Sequence, residues 1–302
     1  MIKRKVSVVT GGAGFIGGHL VDKLVELGHE VRVIDNYSAE CNDNFHHNPR
    51  AEYNNLDICD YGKILPVFNN ADYVFHLAAM ARIMVCMTQP RIACEVNYLG
   101  SSNILEASRV SQVKRVMYSS TSSAYGLKNS PPLKEDMPTD CLNPYSVTKV
   151  AAEGLCKMYH GLWGLETVVF RYFNVYGERQ PTKGQYAPVI GLFQKQKEEG
   201  LPMSVVGDGG QTRDYTHVSD VAEANVRAAL TDNKDVVGEI INVGTGRNHS
   251  VLDIVDLVGG QYEFIPERPG EARETLADIS KMKKLLDYEP RVKLEDWIKE
   301  NE

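Results

Sequence analysis

The 302-residue chain has no cysteine pair at C-x-x-C spacing, no run of 18 apolar residues and no excess of basic side chains. Its six cysteines (Cys41, Cys59, Cys86, Cys94, Cys141 and Cys156) are scattered, so neither a zinc site nor a redox dithiol has the local geometry it needs. Inert thiols in a reducing compartment are expected. Without a long apolar run there is no membrane-spanning helix, and the stretch before Val6 is too short and too basic for a secretory leader, so a cytoplasmic location is expected. Forty acidic against 33 basic residues leave a net charge of −7, which disfavours nucleic-acid binding because that needs a basic surface to displace counterions. Adjacent His46 and His47 lack a cysteine or carboxylate pattern around them, so no metal is expected.

What remains is ordinary globular material, 43% hydrophobic and 24% charged, long enough for one large α/β unit with an appended lobe. Val6 to Thr10 reads as a buried strand, Gly11 to Gly17 as a turn, and Leu20, Val21, Leu24, Val25 and Leu27 as the apolar face of a helix that Gly28 stops. Further strands are expected at 30–35, 72–77, 114–119 and 240–243, with helical segments between them, notably 91–110. Strands alternating with helices predict a parallel, doubly wound sheet covered on both faces. After Gly177 the alternation loosens, with loops at 178–184 and 207–210. The expected division is therefore a dinucleotide-binding domain over 1–178, rejoined by 213–250, and a second lobe from 179–212 and 251–302.

Gly11, Gly14 and Gly17 stand at G-x-x-G-x-x-G spacing between a strand and a helix. Glycine allows the tight turn and the close approach of backbone to a pyrophosphate, whose charge then sits on the helix N-terminus. Asp35 ends the second strand 18 residues after Gly17, where a carboxylate accepts from ribose hydroxyls and repels a 2′-phosphate, favouring NAD over NADP. Farther on, Asn143 and Pro144 are placed as N-cap and first residue of a helix on which Tyr145 and Lys149, four apart, share a face.

The glycine turn, the Tyr145-x-x-x-Lys149 pair and the segment 119–126 (SSTSSAYG) together resemble the extended short-chain dehydrogenase/reductase family, in particular its NAD-dependent nucleotide-sugar epimerases and dehydratases. Segments 76–79 (HLAA), 171–177 (RYFNVYG), 209–215 (GGQTRDY), 242–246 (NVGTG) and 268–271 (RPGE) carry the resemblance over nearly the whole chain. It implies a Rossmann domain with a smaller nucleotide-sugar lobe, and NAD as coenzyme. It implies that Tyr145 takes a proton from a sugar hydroxyl, that Lys149 lowers the tyrosine's pKa and holds the nicotinamide ribose, and that Thr121 hydrogen-bonds the same hydroxyl. An ammonium and the positive nicotinamide ring beside the phenol would favour its ionised form.

The coenzyme contacts implied are Gly11, Gly14, Phe15, Ile16 and Gly17 at the phosphates and Asp35 and Asn36 at the ribose. Asp57 and Ile58 would lie at the adenine, and Leu77, Ala78, Ala79, Asn97, Ser119 and Tyr172 along the nicotinamide half. The dehydratases carry acidic residues directly after the threonine, and the related decarboxylases a glutamate in this segment; here stand Ser122 and Ser123, neither of which can protonate a leaving hydroxyl. For the substrate, the resemblance assigns Asn174, Arg213 and Arg268 to a diphosphate and Glu271 to a ribose. Pro188, Val189, Phe193 and Ser204 would surround a uracil ring. Thr275, seven residues after Arg268, matches a gate beside the sugar's C2 substituent, where a small residue leaves room for an N-acetyl group. Arg82 lies near the expected sugar and suits a uronate carboxylate.

These readings converge on a UDP-sugar 4-epimerase acting on glucose/galactose, their N-acetylated forms, or both. The alternatives are a UDP-uronate 4-epimerase using Arg82 or, from another class, a non-catalytic NAD-binding regulatory protein, against which an intact Thr121, Tyr145 and Lys149 argue. The segment 91–110, with Ala93, Val96, Leu99, Ile104 and Leu105, is a candidate half of a four-helix homodimer interface with the Tyr145 helix.

Overall fold

The computed structural model describes residues 4–39, 45–182, 188–267 and 272–301. The first six strands are β1 (Val6–Thr10), β2 (Glu30–Asp35), β3 (Glu52–Asn55), β4 (Tyr73–His76), β5 (Arg115–Thr121) and β6 (Glu166–Tyr172). Seven shorter ones follow: β7 (Val175–Tyr176), β8 (Met203–Val206), β9 (Thr212–Asp214), β10 (Thr216–His217), β11 (Ile240–Val243), β12 (Asn248–Ser250) and β13 (Tyr262–Ile265). The main sheet has seven strands in the order β11-β6-β5-β4-β1-β2-β3, every pairing parallel. Strand order reverses between β1 and β4, the place where an open α/β sheet leaves a crevice at its carboxyl edge.

Every residue of β1, β4 and β5 is buried, as expected when helices cover both sheet faces. One face packs Val9, Phe75, Met117 and Phe170 against Leu20, Val21 and Leu24 of helix Phe15–Glu26 and against helix Val218–Leu230. The other packs Val8, Val74, Val116 and Tyr118 against Ile104 and Leu105 of helix Ser101–Val110 and Ala152 and Cys156 of helix Pro144–Trp163. The latter helix begins as expected, with an Asn143–Ser146 capping box and Pro144 at the first position, and stops at Gly164, whose φ of +69° suits a residue without a side chain.

A third core, containing Tyr176, Phe193, Val205, Tyr215, Ile254, Trp297 and Ile298, holds the smaller lobe together. Its strands pair as β8 with β13 and β9 with β12. Helix Ser280–Leu286 departs from the expected division: its Met282, Leu285 and Leu286 pack into the first core of the main sheet, because the chain crosses back after Thr275 before ending in the lobe.

The segment 91–110 is helical from Pro90, but Glu95–Gly100 is wound as a π turn between Pro90–Cys94 and Ser101–Val110. Two contacts account for this: Gly100 presses on Ile58, whose Cδ1 would lie 2.6 Å from any added Cβ, and Asn97 is held by the backbone of Met80. The turn also divides the expected interface set. Ala93 is buried within the chain itself, Ile104 and Leu105 in the second core, Val96 is partly buried against that core, and Leu99 is exposed.

Candidate active site

The glycine turn lies at the carboxyl edge of β1. Gly11 has φ of +71° and passes so close to the next loop that a Cβ there would sit 2.8 Å from the amide of Ala78. A Cβ on Gly17 would lie 2.1 Å from the Gly11 carbonyl oxygen, so helix and turn can approach only without it. Helix Phe15–Glu26 opens at Gly14 with no side chain capping it and no acid in its first turn, which leaves the Phe15–Ile16 end and its dipole to an anion. Asp35 accepts from the amides of Ala13 at 3.0 Å and Tyr37 at 2.9 Å; each oxygen retains a lone pair for a ribose hydroxyl. This cradle fits a dinucleotide without a 2′-phosphate.

Around it, Asn36 donates to Asp57 at 3.0 Å, joining the ends of β2 and the chain after β3. Ile58 turns inward against Gly100. The amides of Leu77 and Ala78 reach the Thr10 hydroxyl at 3.2 and 3.1 Å, with Ala79 following in the same half-buried loop. Thr10 meets His76 at 2.7 Å, and His76 meets Ser101 at 2.9 Å. Burial, then the nearby Lys149 charge, pushes the His76 imidazole down to about 3, so it serves as a neutral hydrogen-bonding post. Asn97 grips Met80 at both ends, accepting from its amide at 2.8 Å and donating to its carbonyl at 3.1 Å, and also donates to Thr148. Ser119 and the Tyr172 hydroxyl lie 2.9 Å apart, and Asn225 donates to the same phenol at 2.8 Å, so that ring is anchored in the sheet's packing.

The reacting centre lies beside this cradle. Thr121 ends β5, and its hydroxyl accepts from the amide of Ser123 at 3.1 Å. Ser122 and Ser123 open a 3-10 turn and are half-buried at the cleft. The Tyr145 phenol faces the Thr121 hydroxyl, which favours its ionised form. One helical turn on, Lys149 is 2% exposed, with Nζ 4.4 Å from the centre of the Tyr118 ring. Burial lowers the Lys149 ammonium to about 8, while Cys156 and Glu153 act in the opposite direction. Burial likewise pushes the Tyr145 phenol up to about 12, with Thr121 drawing it part of the way back. The expected fall in the phenol's pKa is therefore not a property of the protein alone. The remaining drive would come from a positive charge brought into the cleft.

The substrate side gathers next to Thr121, because Thr121 and Tyr172 are register partners and Asn174 follows two residues later. Asn174 donates to the Asp214 carbonyl at 3.0 Å and to the Thr275 hydroxyl at 3.4 Å, and Thr275 donates its amide to Thr212 at 3.1 Å. Arg213 lies between Thr212 and Asp214 on β9, opposite His249. Arg82 directly precedes helix Ile83–Thr88, two residues beyond the clamped Met80, and its side chain does not cap that helix. Pro188 and Val189 begin helix Val189–Glu198, and Ser204 exchanges hydrogen bonds with Gln196. Phe193 corrects an expectation: it is 0% exposed in the lobe's core and has no surface left for a ligand. Its helix turns it inward with Ile190, leaving the outer face to polar residues. Arg268 and Glu271, with Gln185, Tyr186 and Ala187 before Pro188, lie outside the described residues.

Residues 7–244 match the NAD dependent epimerase/dehydratase family. The chain belongs to that family. NAD is its coenzyme, in keeping with the cradle at Gly11–Gly17 and Asp35. Solved structures agree over the whole fold. A UDP-glucose 4-epimerase of Thermotoga maritima with UDP-glucose superposes with a TM-score of 0.91 at 34% identity, covering 97% of this chain and 96% of its own. A UDP-N-acetylglucosamine 4-epimerase of Methanobrevibacter ruminantium, in complex with UDP-N-acetylmuramic acid, gives 0.92 at 32%, covering 99% and 97%. A UDP-glucuronic acid 4-epimerase of Bacillus cereus, with UDP-glucuronic acid and NAD, gives 0.85 at 33%, covering 97% and 96%.

Several residues of this site escape a reading of the sequence. Thr10 and Ser101 hold His76 across three elements, and nothing local marks them. Asp214 is more telling: fully buried, it accepts from the amide and hydroxyl of Thr245, both at 2.7 Å, and from the amides of Gly246 at 3.0 Å and Ala277 at 3.1 Å. Burial pushes its carboxyl up against the pull of these four donors. The available signal was an acid directly beside Arg213.

Proposed function

We propose that the protein is a UDP-sugar 4-epimerase acting on UDP-glucose/UDP-galactose, UDP-N-acetylglucosamine/UDP-N-acetylgalactosamine, or both. The observation that carries this reading is the convergence of Thr121, Tyr145 and Lys149 beside a dinucleotide cradle, with Ser122 and Ser123 where elimination would need an acid. The chemistry supplied by NAD is reversible hydride acceptance, through which a carbinol centre passes to a ketone and back with inversion. Tyr145 Oη takes the proton of the sugar hydroxyl and later returns it. Thr121 Oγ1 fixes the line along which that proton moves, and the Lys149 ammonium favours the phenolate by its charge. Asn174 and Arg213 hold the diphosphate, an assignment supported by their adjacency at the Asp214 nest. Arg268 and Glu271 complete the nucleotide site by family resemblance. Thr275, in contact with Asn174, leaves space at the sugar for an N-acetyl group.

Incubating the purified protein with UDP-glucose, UDP-N-acetylglucosamine and UDP-glucuronate and separating the products tests the reading. Interconversion at C4 without loss of water or carbon dioxide supports it, and a dehydrated product overturns it. The clamped loop before Arg82 favours a second reading, a UDP-uronate 4-epimerase, for which turnover would be confined to UDP-glucuronate.

A homodimer belongs to the same proposal. Val147, Met158 and Leu162 form an exposed apolar row on the Tyr145 helix, beside exposed Tyr98 and Leu99. Among the described residues no helix is long and apolar enough to cross a membrane. With the described cysteines all free thiols, a cytoplasmic location completes the proposal.

A further inference from the structure

Directly behind the reacting centre lies a buried ion pair that the mechanism above does not use. Glu153 is one helical turn beyond Lys149 and two beyond Tyr145, so the three share one face of helix Pro144–Trp163. Its carboxylate accepts from Arg171 Nε at 3.0 Å and from Arg171 Nη2 at 2.8 Å, a two-point contact between groups 6% and 2% exposed. Ser120, between Ser119 and Thr121 on β5, donates to the same carboxylate. Behind the pair, the Arg171 guanidinium lies 4.8 Å from the centre of the Tyr125 ring, and the Tyr125 hydroxyl donates to Asn242.

Two ions withdrawn from water carry a desolvation cost that their attraction barely offsets, so such a pair is weak evidence of a stabilising role. Its placement points to another one. The guanidinium, flanked by the Tyr125 ring, engages both oxygens of the carboxylate and fixes the pair one helical turn from Lys149. We propose that Glu153, held by Arg171 and Ser120, is a positioning residue that holds the Lys149 ammonium in its charged form beside the reacting centre.

The surroundings of Lys149 support this. From β5 it faces the Tyr118 ring, from β4 the neutral His76, and from its own helix Tyr145, Glu153 and the Cys156 thiol. Burial drives the Tyr118 phenol and the Cys156 thiol well above their ordinary values, so neither supplies a negative charge near neutral pH. With Tyr145 also kept protonated by burial until a positive charge enters the cleft, Glu153 alone among these neighbours can do so. Burial brings the lysine down to about 8, and without Glu153 it would lose its proton nearer neutrality.

The catalytic consequence rests on the epimerase reading, whereas the charge of the lysine does not, and the experiment separates them. In protein carrying 13C at the lysine ε carbons, the Lys149 signal is assigned by its loss in Lys149→Met, and its titration midpoint is compared between wild type and Glu153→Gln. The midpoint should fall by about one pH unit, because an attractive charge is removed and the Arg171 charge is left uncompensated. The alkaline limb of kcat/KM with UDP-glucose should move in the same direction. A role confined to structure would lower the melting temperature and leave both unmoved, which overturns the proposal. Should Glu153→Gln not fold, Glu153→Gln/Arg171→Met, which strands no buried charge, takes its place. A midpoint below wild type supports the proposal and a wild-type midpoint overturns it. A displaced midpoint in a protein that epimerises no UDP-sugar would refute the functional reading alone.

Discussion

On the coenzyme side of the cleft, the phosphate turn, Asp35 and the Leu77–Ala79 loop come from three neighbouring strands and are held largely by backbone amides and missing side chains. On the sugar side, Asn174, Arg213 and Thr275 come from separate segments, the first and last 101 positions apart, and meet at β9 through the backbone of Thr212 and Asp214. The first wall needs small residues at fixed spacing, and the second needs long-range contacts. Damage to the first should therefore show as lost coenzyme or lost chemistry. Damage to the second should show as altered stability of the lobe or altered choice of sugar.

The sharpest test lies where the walls meet. Tyr145→Phe should keep NAD and reduce kcat by about a thousandfold, the scale of a lost general base, measured with coenzyme occupancy checked by absorbance. Near-normal turnover would remove the tyrosine from the chemistry. Phe193→Ala should destabilise the protein by about 3–5 kcal/mol in denaturant unfolding through a cavity in the third core. A selective loss of nucleotide affinity at unchanged stability would instead return this ring to the binding site.

Gly17→Ala should cost about 1–3 kcal/mol and strip NAD, since the new methyl lands on the Gly11 carbonyl. Retained NAD at full stability would show the turn to be more yielding than its geometry implies. Thr275→Tyr should have the smallest effect, lowering kcat/KM for UDP-N-acetylglucosamine by about tenfold more than for UDP-glucose, or about 1.4 kcal/mol of discrimination. Equal losses with both sugars would deny Thr275 the role of gate.

The same contrast explains what the sequence made legible. β1, β2 and β11 fall at the expected bounds, because strands covered on both faces read as short apolar runs closed by turn residues. The capping of the Tyr145 helix is equally local. The pairing of β9 with β12 is not, since strands of three residues carry no usable period. The return of Met282 and Leu285 to the first core was hidden for a related reason: a seven-residue helix does not reveal which of two cores its apolar side serves. Phe193 sat in a segment whose family likeness suggested ligand contact, while its spacing from Ile190 marked a packed helix face. Thr10, Ser101 and Asp214 owe their roles wholly to partners distant in the chain.

The π turn at Glu95–Gly100 has a consequence for anyone exchanging parts between relatives. It sets the phase of the helix that follows, and Ser101, which donates to the Asn97 carbonyl at 2.6 Å, is the first residue after it. Removing one residue to restore regular winding would swing the downstream side chains by about 100° and carry Ser101 away from His76. A chimera joined within this segment must therefore inherit the whole loosened coil together with its Met80 loop, or the post beneath the coenzyme wall loses its footing.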